Sequence, residues 1–218
     1  MIHPPLFRRL VVLAAGLTLS FGLAGCVTLF PKVKPAQLYR FDVASSEAAP
    51  QAPGAVAPFS VYRAQTSFNR GADGDRILTM TADQAAYMAD ARWIAPASVL
   101  FDEAESHAFD QSNGAARLGR RGEMVNAPVS LRLDVEAFET RYTDGPTTAP
   151  TVVIRVRGNL TRVSDRKILA VRMFESRKKV DDNRVSAIIP GYDAALSEVL
   201  GQIVAWTNAE GSNQSGPS

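Results

Sequence analysis

From Val129 to Ala137, apolar and polar residues alternate without a break: Val129, Leu131, Leu133, Val135 and Ala137 against Ser130, Arg132, Asp134 and Glu136. A period of two is that of a strand with one buried face and one wet face. At Phe138 the apolar phase slips by one residue, and Tyr142 keeps the new phase. A slip exchanges the two faces unless a bulge absorbs it, so a bulge is expected near Ala137–Phe138. Asp144-Gly145-Pro146 turns the chain, and Val152, Ile154, Val156 and Leu160 mark the returning strand. Ser164-Asp165-Arg166-Lys167 makes a second turn before a strand over 168–180. Three long strands joined by turns predict an antiparallel meander.

Upstream, alternation over 37–43 predicts a strand, with two more at Phe59–Arg63 and Arg76–Met80, the last entered through Gly74-Asp75. The stretch 87–94 is ambiguous in period, though Tyr87 and Trp93 have the character of packing aromatics. Pro96 suits the first turn of a helix, where its missing N–H costs nothing. Leu100, Phe101, Ala104, Ala108 and Phe109 then recur at helical spacing. Asp102, Glu103, Glu105 and Asp110 are expected to face water, the acids near the start complementing the helix dipole, with Asn113-Gly114 ending the helix. From Asp193 the period becomes 3.6 again, with Leu196, Val199, Leu200, Ile203 and Val204 in one stripe that ends near Trp206. The predicted class is α+β, an antiparallel sheet with long C-terminal meander strands and two helices on one face.

The first 25 residues have a different logic. Arg8 and Arg9 precede an uncharged apolar run that closes on Leu23-Ala24-Gly25-Cys26, and Cys26 is the sole cysteine of the chain. A basic start, an apolar middle and small residues before a cut form the three parts of an export signal. The run from Leu10 to Gly25 is shorter than the roughly 20 residues that span a hydrocarbon core, so a cleaved signal is expected rather than a permanent helix. The tetrapeptide resembles the lipobox of bacterial lipoproteins. That resemblance implies cleavage between Gly25 and Cys26 and acylation of the Cys26 thiol. It also brings a sorting rule: aspartate after the cysteine favours the inner membrane, and Val27 in its place favours transfer to the outer membrane.

Removing residues 1–25 takes away two basic side chains and no acid from a total of 24 basic and 22 acidic, leaving the two signs balanced. No basic footprint remains to suggest a nucleic acid partner. The local clusters Arg117–Arg121 and Arg177–Lys179 have acidic residues beside them and are expected at solvated strand ends or loops. One domain over 26–207 accounts for the mature length. Residues 44–58, rich in Ala, Pro and Ser, are expected to form a flexible loop, and 208–218 a disordered tail.

Candidate chemistry is sparse. His3 belongs to the signal, so His107 is the one histidine left, beside Ser106 and Asp110. On a helix, adjacent side chains diverge by about 100°, which keeps Ser106 and His107 from acting as a pair. Asp73, Asp75, Asp181 and Asp182 are turn residues without EF-hand register. No glycine-rich phosphate loop is present. Asn159-Leu160-Thr161 matches a glycosylation acceptor, but the strand pattern already explains it. The expectation is a non-enzymatic protein without cofactor or metal.

Several of these residues recur in one order: Tyr39-Arg40-Phe41 after the lipobox, Asp75-Arg76-Ile77, Tyr87, Arg92-Trp93, Pro96 and a helix, Ala137-Phe138-Glu139, and a last helix closing on Trp206. The order resembles the ABC-type transport auxiliary lipoprotein family, with its PqiC-like members, over about residues 26–207. The resemblance implies an auxiliary component of an ABC-linked lipid transport system between the inner and outer membranes. Its implied partners are an MCE-domain protein and the outer membrane of a Gram-negative bacterium, held through an N-terminal lipid anchor on the periplasmic side. A transported lipid and a second copy of the chain are further partners it leaves open. The alternative is a structural envelope lipoprotein that stabilises an outer-membrane or cell-wall complex.

Overall fold

A computed structural model describes residues 35–41, 57–120 and 126–212. The expected loop over 44–58 therefore falls almost wholly outside the described residues, as do residues 1–34 and the end of the tail. The chain divides into two compact units, Met1–Pro35 and Ala36–Ser218, and every element below belongs to the second.

The spine of that unit is β7 (Val129–Tyr142), the strand with the clearest alternation. Along one edge it pairs antiparallel with β8 (Thr151–Arg162), which pairs in turn with β9 (Ile168–Lys179), completing the meander. Along its other edge β7 takes three short partners in succession, all parallel. They are β2 (Phe59–Arg63) at its start, β3 (Ser67–Phe68) at its middle and β4 (Arg76–Thr81) at its end. Beyond β4 lie β5 (Gln84–Trp93), antiparallel, and then β1 (Gln37–Tyr39), parallel; β6 (Ala116–Leu118) flanks β2. The α+β class and the meander stand as expected, and the upstream strands make the sheet a mixed one. β1 and β9 form its opposite margins.

The phase slip has the expected cause. The β7–β8 register shifts between Val135 and Ala137, so Glu136 is the extra residue, one place ahead of the expected site. The bulge lets Phe138, opposite Ile154, return to the core face that Val129, Leu131, Leu133 and Val135 occupy. Phe138 then sits at the centre of an aromatic cluster. Its ring centroid lies 5.1 Å from Tyr192, 5.2 Å from Phe41, 5.6 Å from Phe68 and 6.1 Å from Trp93. Tyr192 belongs to one helix, and Phe68 touches Phe101 of the other at 5.9 Å, so both helices cover the same face. The Tyr192 hydroxyl shares a hydrogen bond with Thr140 Oγ1 at 3.1 Å, and burial raises its pKa.

Helix α1 spans Ala97–Gln111 with Pro96 as its N-cap, one position ahead of its expected place in the first turn. Three expectations about it need correction. Its first turn carries no acid, so the dipole argument does not apply. Its end is Ser112, and Gly114 has another role: a Cβ there would meet the side chain of Asn208 at 2.2 Å. Asn208 uses that space to accept from the Ala116 N–H at 2.8 Å and donate to the Val204 carbonyl at 2.8 Å, tying β6 to the second helix. Third, Asp102 and Glu105 are buried rather than solvated, with Glu105 1% exposed. The cause is Arg63, which reaches α1 from the end of β2. Its Nε donates to Glu105 at 3.0 Å, and its Nη atoms donate to Ser106 Oγ at 2.9 Å and the Asp102 carbonyl at 2.6 Å. A buried carboxylate needs such a cation, because burying it alone is costly.

Helix α2 runs Val185–Ser212, beginning before the expected Asp193 and continuing past Asn208, where a disordered tail was expected to start. Residues 208–212 are held on the fold by the Asn208 bond to β6 and by Gly211, which packs under Phe59. Val199, Leu200, Ile203 and Trp206 bury the expected stripe against β8 and β9. Gly158 in β8 makes this possible, since a Cβ there would lie 3.0 Å from both the Phe174 and Trp206 rings.

Candidate functional site

Gly25 and Cys26 lie outside the described residues, so the site can be built only from the strand that follows them. β1 ends at Tyr39, with Arg40 and Phe41 outside the strand that alternation predicted over 37–43, and its start at Gln37 has a chemical reason. The Tyr39 carbonyl accepts from the Ile94 N–H at 2.7 Å, so the odd-numbered residues of β1 turn their backbone groups toward β5. A ladder continued backward would next need the N–H of residue 35, which is proline.

At this margin the structure gathers motifs that lie far apart in sequence. Leu38 pairs with Arg92 and Tyr39 with Trp93, while Arg92 also faces Arg76 across the β4–β5 ladder. Asp75 serves twice: its carbonyl accepts from the Trp93 N–H at 2.7 Å, and its carboxylate meets Arg92 Nη1 at 3.2 Å. The Arg76 guanidinium lies 3.8 Å from the centre of the Tyr87 ring, a cation–π contact, and the Tyr87 hydroxyl donates to the Gly71 carbonyl at 3.0 Å. The inward half of the corner is packing: Trp93 touches Phe41 at 4.6 Å and Tyr192 at 5.1 Å. The outward half bears Leu38, Arg40, Arg76, Tyr87, Arg92 and Ile94. Sequence reading located Tyr87 and Arg92-Trp93 but not the strand that carries them. Its clue was the turn at Gly74-Asp75, whose carbonyls bind β5 and the start of α1.

The catalytic candidates do not assemble. Ser106 Oγ accepts from Arg63 and donates to the Asp102 carbonyl at 3.0 Å, while His107 is exposed and bonded to Gln111 at 2.6 Å. Among the described residues no three His, Cys, Asp or Glu side chains come together as a metal site would require. Of the two basic clusters, the second pairs Arg177 with its neighbour Glu175, and Lys178 and Lys179 with the sequence-distant Glu198 at 2.5 Å and Asp144 at 3.2 Å, while Arg117 of the first donates to the Gly114 and Ala116 carbonyls. Hydrogen bonds from Lys178 and Ser176 hold the Glu198 carboxyl below its ordinary pKa. The outer face of the meander is a ladder of opposite charges, with Glu136 meeting Arg155 at 3.3 Å and Arg157 at 2.7 Å. Among the described residues no helix is long and apolar enough to cross a membrane.

The family model of the ABC-type transport auxiliary lipoprotein component matches residues 39–204, from Tyr39 into α2 as far as Val204. The chain belongs to that family. The fold agrees with solved structures. Protein XCC0632 from Xanthomonas campestris superposes with a TM-score of 0.71 at 23% identity, over 82% of this chain and 99% of that one. A second, described as an uncharacterized protein, gives a TM-score of 0.57 at 13% identity, over 79% and 99%. No curated protein matches the chain. As a family member it is an auxiliary lipoprotein component of ABC-type transport, an assignment that points to the cell envelope and to an ABC transporter as its associate.

Proposed function

We propose that this protein is a non-enzymatic, lipid-anchored subunit of an ABC system that moves lipids between the inner and outer membranes. Its direct partner is then an MCE-domain protein, and its place is the periplasmic side of the outer membrane. The observation that carries the reading is the match over residues 39–204 immediately behind a lipobox that ends on Cys26. Cleavage before Cys26 and acylation of its thiol supply the anchor, and Val27 supports the outer membrane as its destination. An anchored domain also meets its partner at high effective concentration, so a modest contact suffices.

Affinity capture of the tagged full chain from detergent-solubilised envelopes is expected to recover an MCE-domain protein and the associated ABC permease. Recovery of cell-wall or secretion components in their place overturns the reading in favour of a structural envelope lipoprotein.

A further inference from the structure

We propose that the outward half of the β1–β5–β4 corner rests on the bilayer surface, Leu38 and Ile94 entering the boundary between headgroups and acyl chains. Arg40, Arg76 and Arg92 then meet the phosphates of anionic phospholipids. The inference rests on the reading of Cys26 as a lipid anchor and adds to it an orientation of the domain.

Leu38 and Ile94 are 60% and 61% exposed, among the most exposed large apolar side chains described. Alternation places them on one face. Tyr39 and Trp93 turn into the core, so their neighbours Leu38, Arg40, Arg92 and Ile94 turn outward. Arg76, opposite Arg92, extends the row and holds Tyr87 beneath its guanidinium. Aliphatic tips, an amphipathic aromatic and arginines side by side are the composition of an interfacial surface. The arginine stems add apolar area while their heads stay at headgroup level.

The chain itself selects the bilayer as occupant. Residues 27–36 separate Cys26 from Gln37. At no more than about 3.5 Å per residue they reach roughly 35–40 Å, so an acylated Cys26 keeps β1 near the surface it is anchored to. β1, which bears Leu38 and leads directly into Arg40, is therefore the first described element after the anchor. The other exposed apolar row, Ile168, Val171 and Met173 on β9, lies at the opposite margin of the sheet.

The test uses the lipidated full-length mature chain in vesicles of phosphatidylethanolamine and phosphatidylglycerol. Cys26 is the sole native cysteine, and acylation blocks it, so L38C, I94C and V171C each offer one thiol to an environment-sensitive fluorophore. These exposed positions tolerate substitution. Nitroxide-bearing lipids are expected to quench labels at 38 and 94 at least about threefold more than the label at 171, and less so when phosphatidylglycerol is omitted. Equal quenching at all three positions overturns the proposal. Flotation reports the anchor separately. Protein that does not float with the vesicles, or whose Cys26 itself takes the label, fails the anchor reading. Protein that floats with positions 38 and 94 unquenched fails the orientation alone.

Discussion

Replacing Arg63 with alanine is expected to destabilise the domain by about 3–5 kcal/mol, the usual cost of breaking a buried ion pair from one side. The Arg63 side chain is 6% exposed and the Glu105 side chain 2%. Removing the guanidinium takes the facing cation from Glu105 and donors from Ser106 Oγ and the Asp102 carbonyl, all on α1. Arg63→Met keeps much of the apolar stem and is expected to lose nearly as much, because the loss lies in the charge. Combining Arg63→Met with Glu105→Leu is expected to recover part of it, since Glu105 no longer needs a cation but the buried Asp102 carboxylate, 3.8 Å from the guanidinium, still loses one. Denaturant unfolding of the purified chain measures all three. A single substitution within about 1 kcal/mol of the parent contradicts this account of how α1 is held.

The second large effect lies at Phe138. Phe138→Ala is expected to cost about 3–5 kcal/mol through lost contact and the cavity left behind. Its ring joins Phe41, Phe68, Trp93 and Tyr192, so the cavity would open where β7 meets both helices. Val171→Ala, on a residue 53% exposed, serves as the contrast and is expected to stay within about 0.5 kcal/mol. Similar losses at the two positions would mean that Phe138 is not the centre of the core.

Both effects show where sequence pattern suffices and where it stops. The alternation of β7 and the slip at Phe138 are local, so the strand, its faces and the need for a bulge could all be read in advance. Arg63 with Glu105 could not. The two are distant in sequence, and an acid on a helix border carries no mark of the cation that will bury it. The same limit explains the parallel pairings of β2, β3 and β4, because alternation gives a strand its faces but not its neighbour. β5 was ambiguous for another reason: Ala85, Ala86, Tyr87, Ala89 and Asp90 are all exposed, so no buried face imposes a period. In α2, the start was hidden by Pro190-Gly191, which reads as a break. The helix carries the proline within its first two turns, where Ile188, Ile189 and Tyr192 are already buried. Its end was hidden by polar residues, of which Asn208 is fixed by tertiary hydrogen bonds.

The candidate site divides in the same way. Its members were legible singly, as Tyr39-Arg40-Phe41, Asp75-Arg76-Ile77 and Arg92-Trp93, but only the β1–β5–β4 pairing joins them into one corner. The proposal that this corner meets a membrane rests on the ten residues that separate Cys26 from Gln37.

The measurement that bears most directly on the central claim is the intact mass of the protein purified from native envelopes. The account predicts a chain that begins at Cys26 and carries diacylglyceryl and acyl groups at that residue. A chain that retains residues 1–25, or one with an unmodified Cys26 thiol, contradicts it.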